Sequence, residues 1–575
     1  MRRLLVLVAL VALIPVLSAA AASVLSGSAP VHETTDIYSY ADAIRQSAWV
    51  DTGHGRVVAD IIRPRELDTT ARIPVIMEAG PYFTCCGRGN QLQTKTYSAG
   101  NPVGFPLFYD NYFVPRGYAV VLVDLAGTGR SPGCVDVGGP SDIRSASAVI
   151  DWLNGRATAY TSLTGSVTTK AYWSNGSVGM IGKSWDGTIA EGVASTGIAG
   201  LKTIVPIASI SDWYDYFRAA GAPLARENLG ALATVVSSGA ACLADALDAG
   251  SSANGDFTPT YAARDYLTNA GKVRASVFIA NGLNDHNVPT INFGQWWRAL
   301  PPSVPKMIWL SQAGHVDPFD YRRAAWVTEL HRWFDHYLMG TDNGIEHDPQ
   351  ASIERSPNQW ASYASWPIPG TRPTVWHPIP GNPPGTGTLG SALAATGTTA
   401  TVTDTSTAAY STGPLTKTTT VSGTTTVTLT VTPSTSDARV SAALVDNGPA
   451  TMRADTDDGI TTLTTKSCWG DSTPTDSACY FNTAPKTVSV TEDVFDRGWA
   501  DLGHYATLTS KQALTPGQPY TITFPLNTTD HTIPAGHTLT LIIGGTDTDY
   551  IDSPSSHPTL TVNLAATSVV LPLAH

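Results

Sequence analysis

The 575-residue sequence is poor in charged side chains and has no cluster of lysine and arginine. Charged residues make up 14% of the chain, and the formal net charge is −12. Nucleic-acid-binding surfaces are concentrated positive patches, so this charge pattern does not favour a nucleic-acid partner. Hydrophobic residues make up 42% of the chain, which is typical of a globular protein and excludes a disordered one. The length exceeds what one hydrophobic core supports, and we expect two or three domains.

Long apolar runs are missing after the N-terminus, so the sequence predicts no transmembrane helix in the mature protein. At the N-terminus, Arg2 and Arg3 precede an apolar stretch at residues 4–17 and small residues at 18–22. This order is typical of a signal peptide covering residues 1–22. A retained membrane anchor is the alternative, but it needs about 20 apolar residues, more than this stretch has. We therefore expect export by the general secretory route and an extracellular protein.

Cysteine is rare, and no C-x-x-C pair or Cys/His cluster indicates a zinc site. The six cysteines are Cys85, Cys86, Cys134, Cys242, Cys468 and Cys479. Disulfides fit the oxidising environment of a secreted protein. The last two cysteines stand alone in the C-terminal region, and we expect them to pair with each other. A bridge between the adjacent first two would be strained, so we expect each of these to pair with one of the middle two.

Short apolar runs alternate with helical patterns between residues 71 and 340. The clearest runs are residues 72–80, 118–127, 177–184, 275–282 and 306–314. Runs of this kind are typical of parallel strands that are covered on both faces. The alternation predicts a doubly wound α/β domain, which we place at residues 32–345. In its last helix, Asp317 is the expected cap, Pro318 suits the first turn and Gly340 can end the helix.

The remaining segments differ in composition. Residues 211–271 are rich in alanine, aromatic and charged residues, and they predict a helical cap over the C-terminal edge of the sheet. Residues 346–385 are predicted to be a connector rich in proline. From 386 to 575, threonine, serine and valine alternate in strand fashion, which predicts a β-sandwich of jelly-roll type. Residues 455–459 predict an acidic turn, not a calcium loop, since Lys466 stands where an EF-hand needs glutamate.

One stretch has the order expected around a catalytic serine. Residues 178–192 read VGMIGKSWDGTIAEG, so Ser184 follows Gly182 at the end of an apolar run. A serine on a sharp turn between a strand and a helix is typical of the nucleophile elbow of serine hydrolases. The spacing here is G-x-S-x-x-G, because Asp186 stands where the usual pattern has its second glycine. A serine in an ordinary turn is therefore the alternative.

A nucleophilic serine needs a histidine base, and the histidine needs a carboxylate that orients it. In α/β-hydrolases the chain order is serine, acid, histidine. Asp285 follows the fourth apolar run and His315 follows the fifth, so both lie at the strand ends where open α/β sheets bind ligands. We predict a triad of Ser184, Asp285 and His315, with the backbone N–H of Trp185 as one oxyanion donor. The residues that fit this order less well are Asp124, His286 and Asp317.

Four stretches carry a family resemblance, and they read WSNGSVGMIGKSWDGTIAEGVASTGIAGL, ISDWYDYFR, NGLNDHNV and GHVDPFD. With them the sequence resembles the Xaa-Pro dipeptidyl-peptidase family, which is related to the cocaine-esterase-like serine hydrolases. The resemblance extends over residues 40–575, and the elbow of this family also tolerates the G-x-S-x-x-G spacing. The sequence departs from the family at Ala126 in DLAGTGRSPG, where arginine is usual.

The resemblance implies roles for residues outside the triad. Tyr82 matches a tyrosine whose hydroxyl is the second oxyanion donor, with an aromatic at the rim of the site as the alternative. Trp213 and Tyr216 match aromatic residues that line a proline pocket, and aromatic faces pack well against a proline ring. Their alternative role is core packing of the cap. Asn287 and Val288 match positions near the substrate backbone and the proline ring.

An enzyme that removes dipeptides must also bind a free α-ammonium group, and a carboxylate does this best. Glu227 in the cap is our candidate for this role, and an ordinary solvated glutamate is the alternative.

These observations predict a secreted serine exopeptidase that releases N-terminal Xaa-Pro dipeptides through an acyl-enzyme, with proline-containing peptides as its partners. The triad needs no metal or organic cofactor. Within the superfamily the alternative is a serine esterase or amide acylase, and outside the enzymes it is a secreted binding protein with an inactive hydrolase core. We expect no nucleic-acid partner and no membrane association of the mature form. The sequence does not give the oligomeric state.

Overall fold

The computed structural model describes residues 33–65, 70–239 and 241–575. The predicted signal peptide lies outside these residues. Within the described part of the chain, no helix is both long enough and apolar enough to cross a bilayer.

A mixed sheet forms the centre of the first domain. The strands of this domain are β1 (Ile44–Asp51), β2 (Arg56–Arg63), β3 (Ile73–Gly80), β4 (Thr96–Ser98), β5 (Asn101–Gly104), β6 (Ala119–Asp124), β7 (Ala159–Tyr160), β8 (Thr168–Thr169), β9 (Ser174–Lys183), β10 (Leu201–Ile207), β11 (Arg218–Ala219), β12 (Ala222–Pro223), β13 (Ser276–Gly282), β14 (Lys306–Ser311), β15 (Ala351–Ser356) and β16 (Gln359–Tyr363). Twelve of them form one sheet in the order β16-β15-β14-β13-β10-β9-β3-β6-β2-β1-β7-β8.

Helices cover both faces of this sheet. They are α1 (Tyr109–Phe113), α2 (Pro140–Leu153), α3 (Trp185–Ala194), α4 (Trp213–Phe217), α5 (Leu229–Val236), α6 (Ala244–Gly250), α7 (Pro259–Ala262), α8 (Ile291–Ala299), α9 (Pro318–Tyr321) and α10 (Arg323–Phe334). Short 3₁₀ helices follow at Leu267–Lys272 and Ile345–His347, and a π-helical turn at Asp335–Met339. Helices α2 and α3 pack into the core on one face, and α1 and α10 into the core on the other.

The five apolar runs form the strands that were predicted. They correspond to β3, β6, β9, β13 and β14, and with β10 they make the parallel centre of the sheet. Successive side chains of a strand point to opposite faces. On β3, Val75 and Met77 pack into one core while Ile76 packs into the other. Burial on both faces is why these strands read as continuous apolar runs.

The segment at 317–340 is not one continuous helix as predicted. The Asp317 side chain does cap it, accepting a hydrogen bond from the N–H of Phe319 at 2.8 Å, and Pro318 begins α9. Arg322 then leaves helical geometry, with φ −145° and ψ 43°, which separates α9 from α10. Gly340 ends the segment with a φ of 75° after the π-helical turn.

Part of the segment at 346–385, which is predicted to be a connector, belongs to the mixed sheet of the first domain. Its strands β15 and β16 extend the catalytic sheet, since β15 pairs in parallel with β14 and antiparallel with β16. Ala351 and Ile353 of β15 are fully buried in the core. Because the segment is rich in proline, its sequence did not predict these short strands.

The second domain is a β-sandwich. Its strands are β17 (Arg372–Pro380), β18 (Thr386–Gly390), β19 (Thr399–Val402), β20 (Ala408–Ser411), β21 (Thr419–Pro433), β22 (Arg439–Arg453), β23 (Ile460–Cys468), β24 (Cys479–Pro485), β25 (Thr487–Asp501), β26 (Tyr520–Ile533), β27 (Thr538–Gly544), β28 (Leu560–Asn563) and β29 (Ser568–Ala574). The first half of β17 pairs with β29 in one layer, and its second half pairs with β18 in the other. On β21, Val427, Leu429 and Val431 point inward, and the intervening threonines are only half-buried.

A hairpin made of β23 and β24 leaves the sandwich and packs on the first domain. Tyr480 lies within the core of that domain, and Trp469 packs against the same core. The guanidinium of Arg323 in α10 donates to the carbonyl oxygen of Phe481 at 2.9 Å. The two domains therefore share a hydrophobic core along this hairpin.

The six cysteines form three disulfides, and the pairing predicted for four of them is wrong. The bonds are Cys85–Cys86, Cys134–Cys242 and Cys468–Cys479, of which the last confirms the prediction. The adjacent cysteines lie in the turn after β3. The two middle cysteines meet because the cap folds back on the loop after β6, where the N–H of Ser238 donates to the carbonyl of Gly127 at 2.9 Å.

Candidate active site

Ser184 lies on a sharp turn between β9 and α3, at the carboxyl end of the central strand. Its φ of 62° and ψ of −128° fall outside the regions that side chains other than glycine readily adopt. Such a conformation costs of order 1–3 kcal/mol and persists only where its surroundings fix it. Here the N–H of Ser184 donates to Ile207 on β10 at 2.8 Å, and its carbonyl accepts from Thr188 of α3 at 2.9 Å. The turn has the geometry of a nucleophile elbow.

The unusual glycine spacing follows from how α3 packs. Gly187 faces the backbone of Gly182, and a Cβ atom at position 187 would lie 2.5 Å from the Gly182 carbonyl oxygen. The second glycine is therefore needed at 187. Asp186 can carry a side chain, because its carboxylate lies against Gly80, where there is no Cβ atom, and joins a buried ion cluster.

That cluster consists of Glu78, Arg88 and Asp186. The guanidinium of Arg88 lies 2.7 Å from Glu78 Oε1 and 3.0 Å from Asp186 Oδ2. Burial raises the pKa of both carboxyls, most strongly that of Asp186, where the neighbouring Glu78 acts in the same direction. Arg88 lies on the same loop as Tyr82, and Asp186 directly follows Trp185. The cluster therefore fixes these two neighbours of Ser184 relative to each other.

Tyr82 lies beside the elbow, as the predicted oxyanion donor must. Its hydroxyl is 3.4 Å from Ser184 Oγ and also contacts the backbone N–H of Trp185. Burial raises the pKa of this hydroxyl above its usual range, and the carboxyl of Asp186 acts in the same direction. The hydroxyl therefore keeps its proton at neutral pH. The hydroxyl and the N–H therefore lie together next to the serine, where an oxyanion hole would need its two donors.

Asp285 and His315 form the other half of the site. Asp285 follows β13, His315 follows β14, and Nδ1 of the histidine lies 2.7 Å from Oδ2 of the aspartate. The second carboxylate oxygen of Asp285 accepts from the backbone N–H groups of Asn287 and Val288 at 2.9 and 2.8 Å. These two bonds hold the carboxylate so that one oxygen is left for the imidazole. Sequence reasoning had assigned Asn287 and Val288 to the substrate and missed this role.

Lys183 connects the two halves. Its side-chain ammonium group donates to the carbonyl oxygen of His315 at 3.0 Å, and Lys183 directly precedes Ser184. Burial lowers the pKa of this lysine, and the nearby Arg88 lowers it further. The structure thus brings the loop of the predicted base to the residue before the predicted nucleophile. In the sequence, the only sign of a role for Lys183 at the site is that it directly precedes Ser184.

Of the predicted pocket residues, Trp213 and Tyr216 lie in α4, and Asn287 and Val288 lie in the loop after β13. Trp213 is only 1% exposed and makes an edge-to-face contact with Trp185 at 5.3 Å between ring centroids. Tyr216 packs edge-to-face on Trp213 at 5.6 Å and donates from its hydroxyl to Asn287 Oδ1 at 3.0 Å. Val288, the other predicted contact, is buried. Tyr216 and Asn287 therefore lie closer to solvent than Trp213 and Val288.

Glu227 is exposed at the edge of the same region. The preceding Arg226 places its guanidinium 4.5 Å from the Tyr216 ring centroid and donates to the carbonyl of Asn287 at 2.5 Å. Burial raises the pKa of the Tyr216 hydroxyl, and Asp285 and Glu227 act in the same direction. The carboxylate of Glu227 is therefore near Tyr216, and sequence reasoning missed the guanidinium of Arg226 that contacts the same ring.

The competing acids and histidine have other partners. Asp124 binds the buried ammonium group of Lys95 at 2.6 Å, and Asp317 caps α9. His286 faces the second domain, where its Nδ1 lies 3.2 Å from the hydroxyl of Tyr550. Asp285 and His315, by contrast, pair with each other at the sheet edge.

The chain matches models of two protein families. One, described as X-Pro dipeptidyl-peptidase (S15 family), matches residues 53–317, and the other, described as the X-Pro dipeptidyl-peptidase C-terminal non-catalytic domain, matches residues 343–572. A Streptomyces avermitilis protein provisionally named Xaa-Pro dipeptidyl-peptidase is 53% identical, over 94% of this chain and 85% of that protein. A Bacillus anthracis protein of the same provisional name is 31% identical, over 94% of this chain and 89% of its own length.

Solved structures share the fold. A CocE/NonD family hydrolase from Staphylococcus aureus superposes with a TM-score of 0.68 at 15% identity, covering 92% of this chain and 94% of that one. At this identity the likeness shows the fold alone. It confirms the prediction of an α/β-hydrolase core, and the second family match agrees with a C-terminal domain made mostly of strands.

Proposed function

Since the chain belongs to the X-Pro dipeptidyl-peptidase (S15) family, we propose that it cleaves peptides after an N-terminal Xaa-Pro pair with a triad of Ser184, Asp285 and His315. Family membership makes it a hydrolase with dipeptidyl-peptidase activity. The observation that supports the triad best is the 2.7 Å contact between His315 and Asp285 on the strand ends beside a strained serine.

In the first step, Ser184 Oγ attacks the carbonyl carbon of the proline residue while His315 takes the hydroxyl proton. The oxyanion that forms is stabilised by the hydroxyl of Tyr82 and the N–H of Trp185. His315 then gives its proton to the leaving amine as the C–N bond breaks, which leaves a dipeptidyl ester on Ser184. Water attacks this ester by the same route in reverse, releasing the dipeptide. Asp285 stabilises the imidazolium in both steps.

We place the proline ring against the aromatic cluster of Trp213 and Tyr216, with Val288 behind it. A proline ring is compact and its nitrogen carries no N–H in a peptide, so an apolar aromatic wall suits it. Asn287 is the polar group nearest this wall and is placed to contact the substrate backbone. Glu227 is our candidate for the α-ammonium group, because it is the carboxylate at the exposed edge of the cluster.

Turnover of Ala-Pro-p-nitroanilide tests this proposal, with Ser184→Ala as the control. Parallel assays use the N-acetylated substrate, Ala-Ala-p-nitroanilide and a phenyl ester. We expect release of p-nitroaniline from the first substrate only, and its loss in Ser184→Ala. Hydrolysis of the ester alone would contradict the peptidase assignment and indicate the esterase alternative. Equal turnover of the acetylated substrate would contradict an ammonium site.

We also propose that the mature protein is secreted. The supports are the N-terminal sequence pattern and the three disulfides. Fractionation of the producing culture and N-terminal sequencing of the extracellular protein test it. Accumulation of uncleaved protein inside the cells would contradict it.

A further inference from the structure

A loop of the second domain reaches the predicted catalytic histidine. We call residues 453–459 the clamp loop, which runs from the last residue of β22 to the start of β23. It was predicted as an acidic turn, and its DTDDG sequence has no role in the chemistry described above. In the structure it packs against residues 312–316, the loop that carries His315.

Arg453 anchors the clamp loop on the catalytic sheet. Its guanidinium is only 1% exposed and makes an ion pair with Glu354 of β15 at 2.9 Å. A further guanidinium nitrogen donates to the carbonyl of Gly459 at 2.9 Å, which ties the far end of the loop to the same arginine. Glu354 in turn accepts from the N–H of Gln312 at 2.9 Å. One buried ion pair thus connects the clamp loop to the start of the histidine loop.

Asp458 makes two contacts with the histidine loop. Its carboxylate Oδ1 accepts from the backbone N–H of His315 at 2.8 Å, and its carbonyl accepts from the N–H of Gly314 at 3.1 Å. Gly314 allows this approach, because a Cβ atom there would lie 2.4 Å from Asp458 Oδ1. The His315 carbonyl is already held by Lys183 at 3.0 Å. Both polar groups of the His315 backbone are therefore fixed, one from each domain.

The clamp loop also carries backbone strain. Asp457 and Asp458 adopt φ values of 53° and 54°, in the left-handed region. A left-handed residue other than glycine costs of order 1–3 kcal/mol and persists where its surroundings hold it, often at functional sites. The two aspartates differ in the partners of their side chains. Asp457 pairs with Lys486, whereas Asp458 accepts from the backbone N–H of His315. They form a matched pair for experiment.

We propose that Asp458 is a positioning residue for catalysis, which places the imidazole of His315 by fixing its backbone from the second domain. The inference rests on the proposed function of His315 as the base. It assigns a part in catalysis to a domain whose family description is non-catalytic. Asp458 acts through His315 and touches neither the reacting bond nor Ser184.

The test compares Asp458→Gly, Asp458→Asn and Asp457→Gly in the full-length protein. Glycine adopts the left-handed region without cost, so both glycine variants should fold and keep or raise Tm. For Ala-Pro-p-nitroanilide, we expect Asp458→Gly to lower kcat about tenfold, the factor that one net hydrogen bond supplies, with little change in KM. Asp458→Asn keeps the acceptor oxygen and should retain kcat within about threefold. Asp457→Gly should match the unmodified protein.

Two results for Asp458→Gly would overturn the proposal. If Asp458→Gly keeps full kcat, or loses no more than Asp457→Gly, the contact does not position the base. If Asp458→Gly raises KM alone, Asp458 binds substrate instead. The rate of Ser184 labelling by a fluorophosphonate separates this test from that of the peptidase assignment. An unmodified protein that labels but does not cleave Ala-Pro-p-nitroanilide refutes the assignment, while a slower labelling of Asp458→Gly still supports the positioning role.

Discussion

The two halves of the site are held by different parts of the molecule. The half around Ser184 is held mainly by buried contacts within the first domain, where the guanidinium of Arg88 joins Glu78 and Asp186 and so connects the loop of Tyr82 to Trp185. The half around His315 depends on the second domain through Asp458, which is exposed. If Ser184 and His315 act as proposed, the nucleophile is held by its own domain, whereas the base is held both by its own domain, through Asp285 and Lys183, and by the β-sandwich.

The largest effect that tests this division is expected from Tyr82→Phe. The change removes the hydroxyl 3.4 Å from Ser184 Oγ and leaves the ring in place. Loss of one oxyanion donor costs about 2.7–4 kcal/mol of transition-state stabilisation, so kcat should fall about 10²–10³-fold with KM nearly unchanged. Steady-state kinetics measure both constants.

The matched control is Tyr214→Phe, since that hydroxyl is also buried but donates to Gly255 in the cap. Its kcat should remain within about threefold of the unmodified protein, because one net hydrogen bond away from the reacting atoms contributes little to the barrier. If the Tyr82→Phe enzyme is as active as this control, Tyr82 is not an oxyanion donor.

Compared with Tyr82→Phe, we expect Arg88→Met to lower kcat less and stability more. The change leaves two buried carboxyls without their cation, and breaking a buried ion pair typically costs about 3–5 kcal/mol. We expect a lower Tm and a kcat reduced about tenfold, because the loops of Tyr82 and Trp185 are no longer joined. Thermal unfolding and steady-state kinetics on the same preparations measure the two effects.

Asp186→Asn is the contrasting variant. Burial raises the pKa of Asp186 well above its usual range, which favours the protonated carboxyl, so we expect a neutral amide to replace it at little cost. Tm and kcat should stay close to those of the unmodified protein. If Asp186→Asn lowers Tm and kcat as much as Arg88→Met does, the cluster needs an ionised Asp186, which would contradict its raised pKa.

The smallest effect concerns the pH dependence of stability. Burial raises the pKa of Glu191 in α3 to about 8 from its ordinary value of 4.5, opposed by a hydrogen bond from Ser209. Between these values the folded protein holds a proton that the unfolded chain has lost, so stability falls as pH rises through this window. Glu191→Gln removes this dependence. The difference in Tm, variant minus unmodified protein, should grow from pH 5 to pH 8, and a constant difference would contradict the assignment.

The sequence predicted the parallel strands and the three triad candidates for the same reason. A strand buried on both faces is a continuous apolar run, and a polar residue directly after such a run marks the sheet edge. Ser184, Asp285 and His315 each stand at such a position. The aromatic residues of α4 were found through the family resemblance, since their spacing alone fits core packing equally well.

What could not be predicted depends on contacts between distant segments. Asp458 lies 143 residues from the histidine it contacts, and nothing local in an acidic turn indicates that partner. The same holds for Arg88, whose partners are on β3 and α3, and for the cap that brings Cys242 to Cys134. Local patterns locate strand ends, but the packing of the second domain decides which loops meet there.

The most direct test of the central claim is to map the site of fluorophosphonate labelling by peptide mass spectrometry while following Ala-Pro-p-nitroanilide turnover. The account predicts one adduct per chain, on Ser184, which forms in step with loss of turnover and is absent from Ser184→Ala. An adduct on another residue, or turnover that survives full labelling of Ser184, would contradict the assignment of this chain as a serine dipeptidyl-peptidase acting through Ser184.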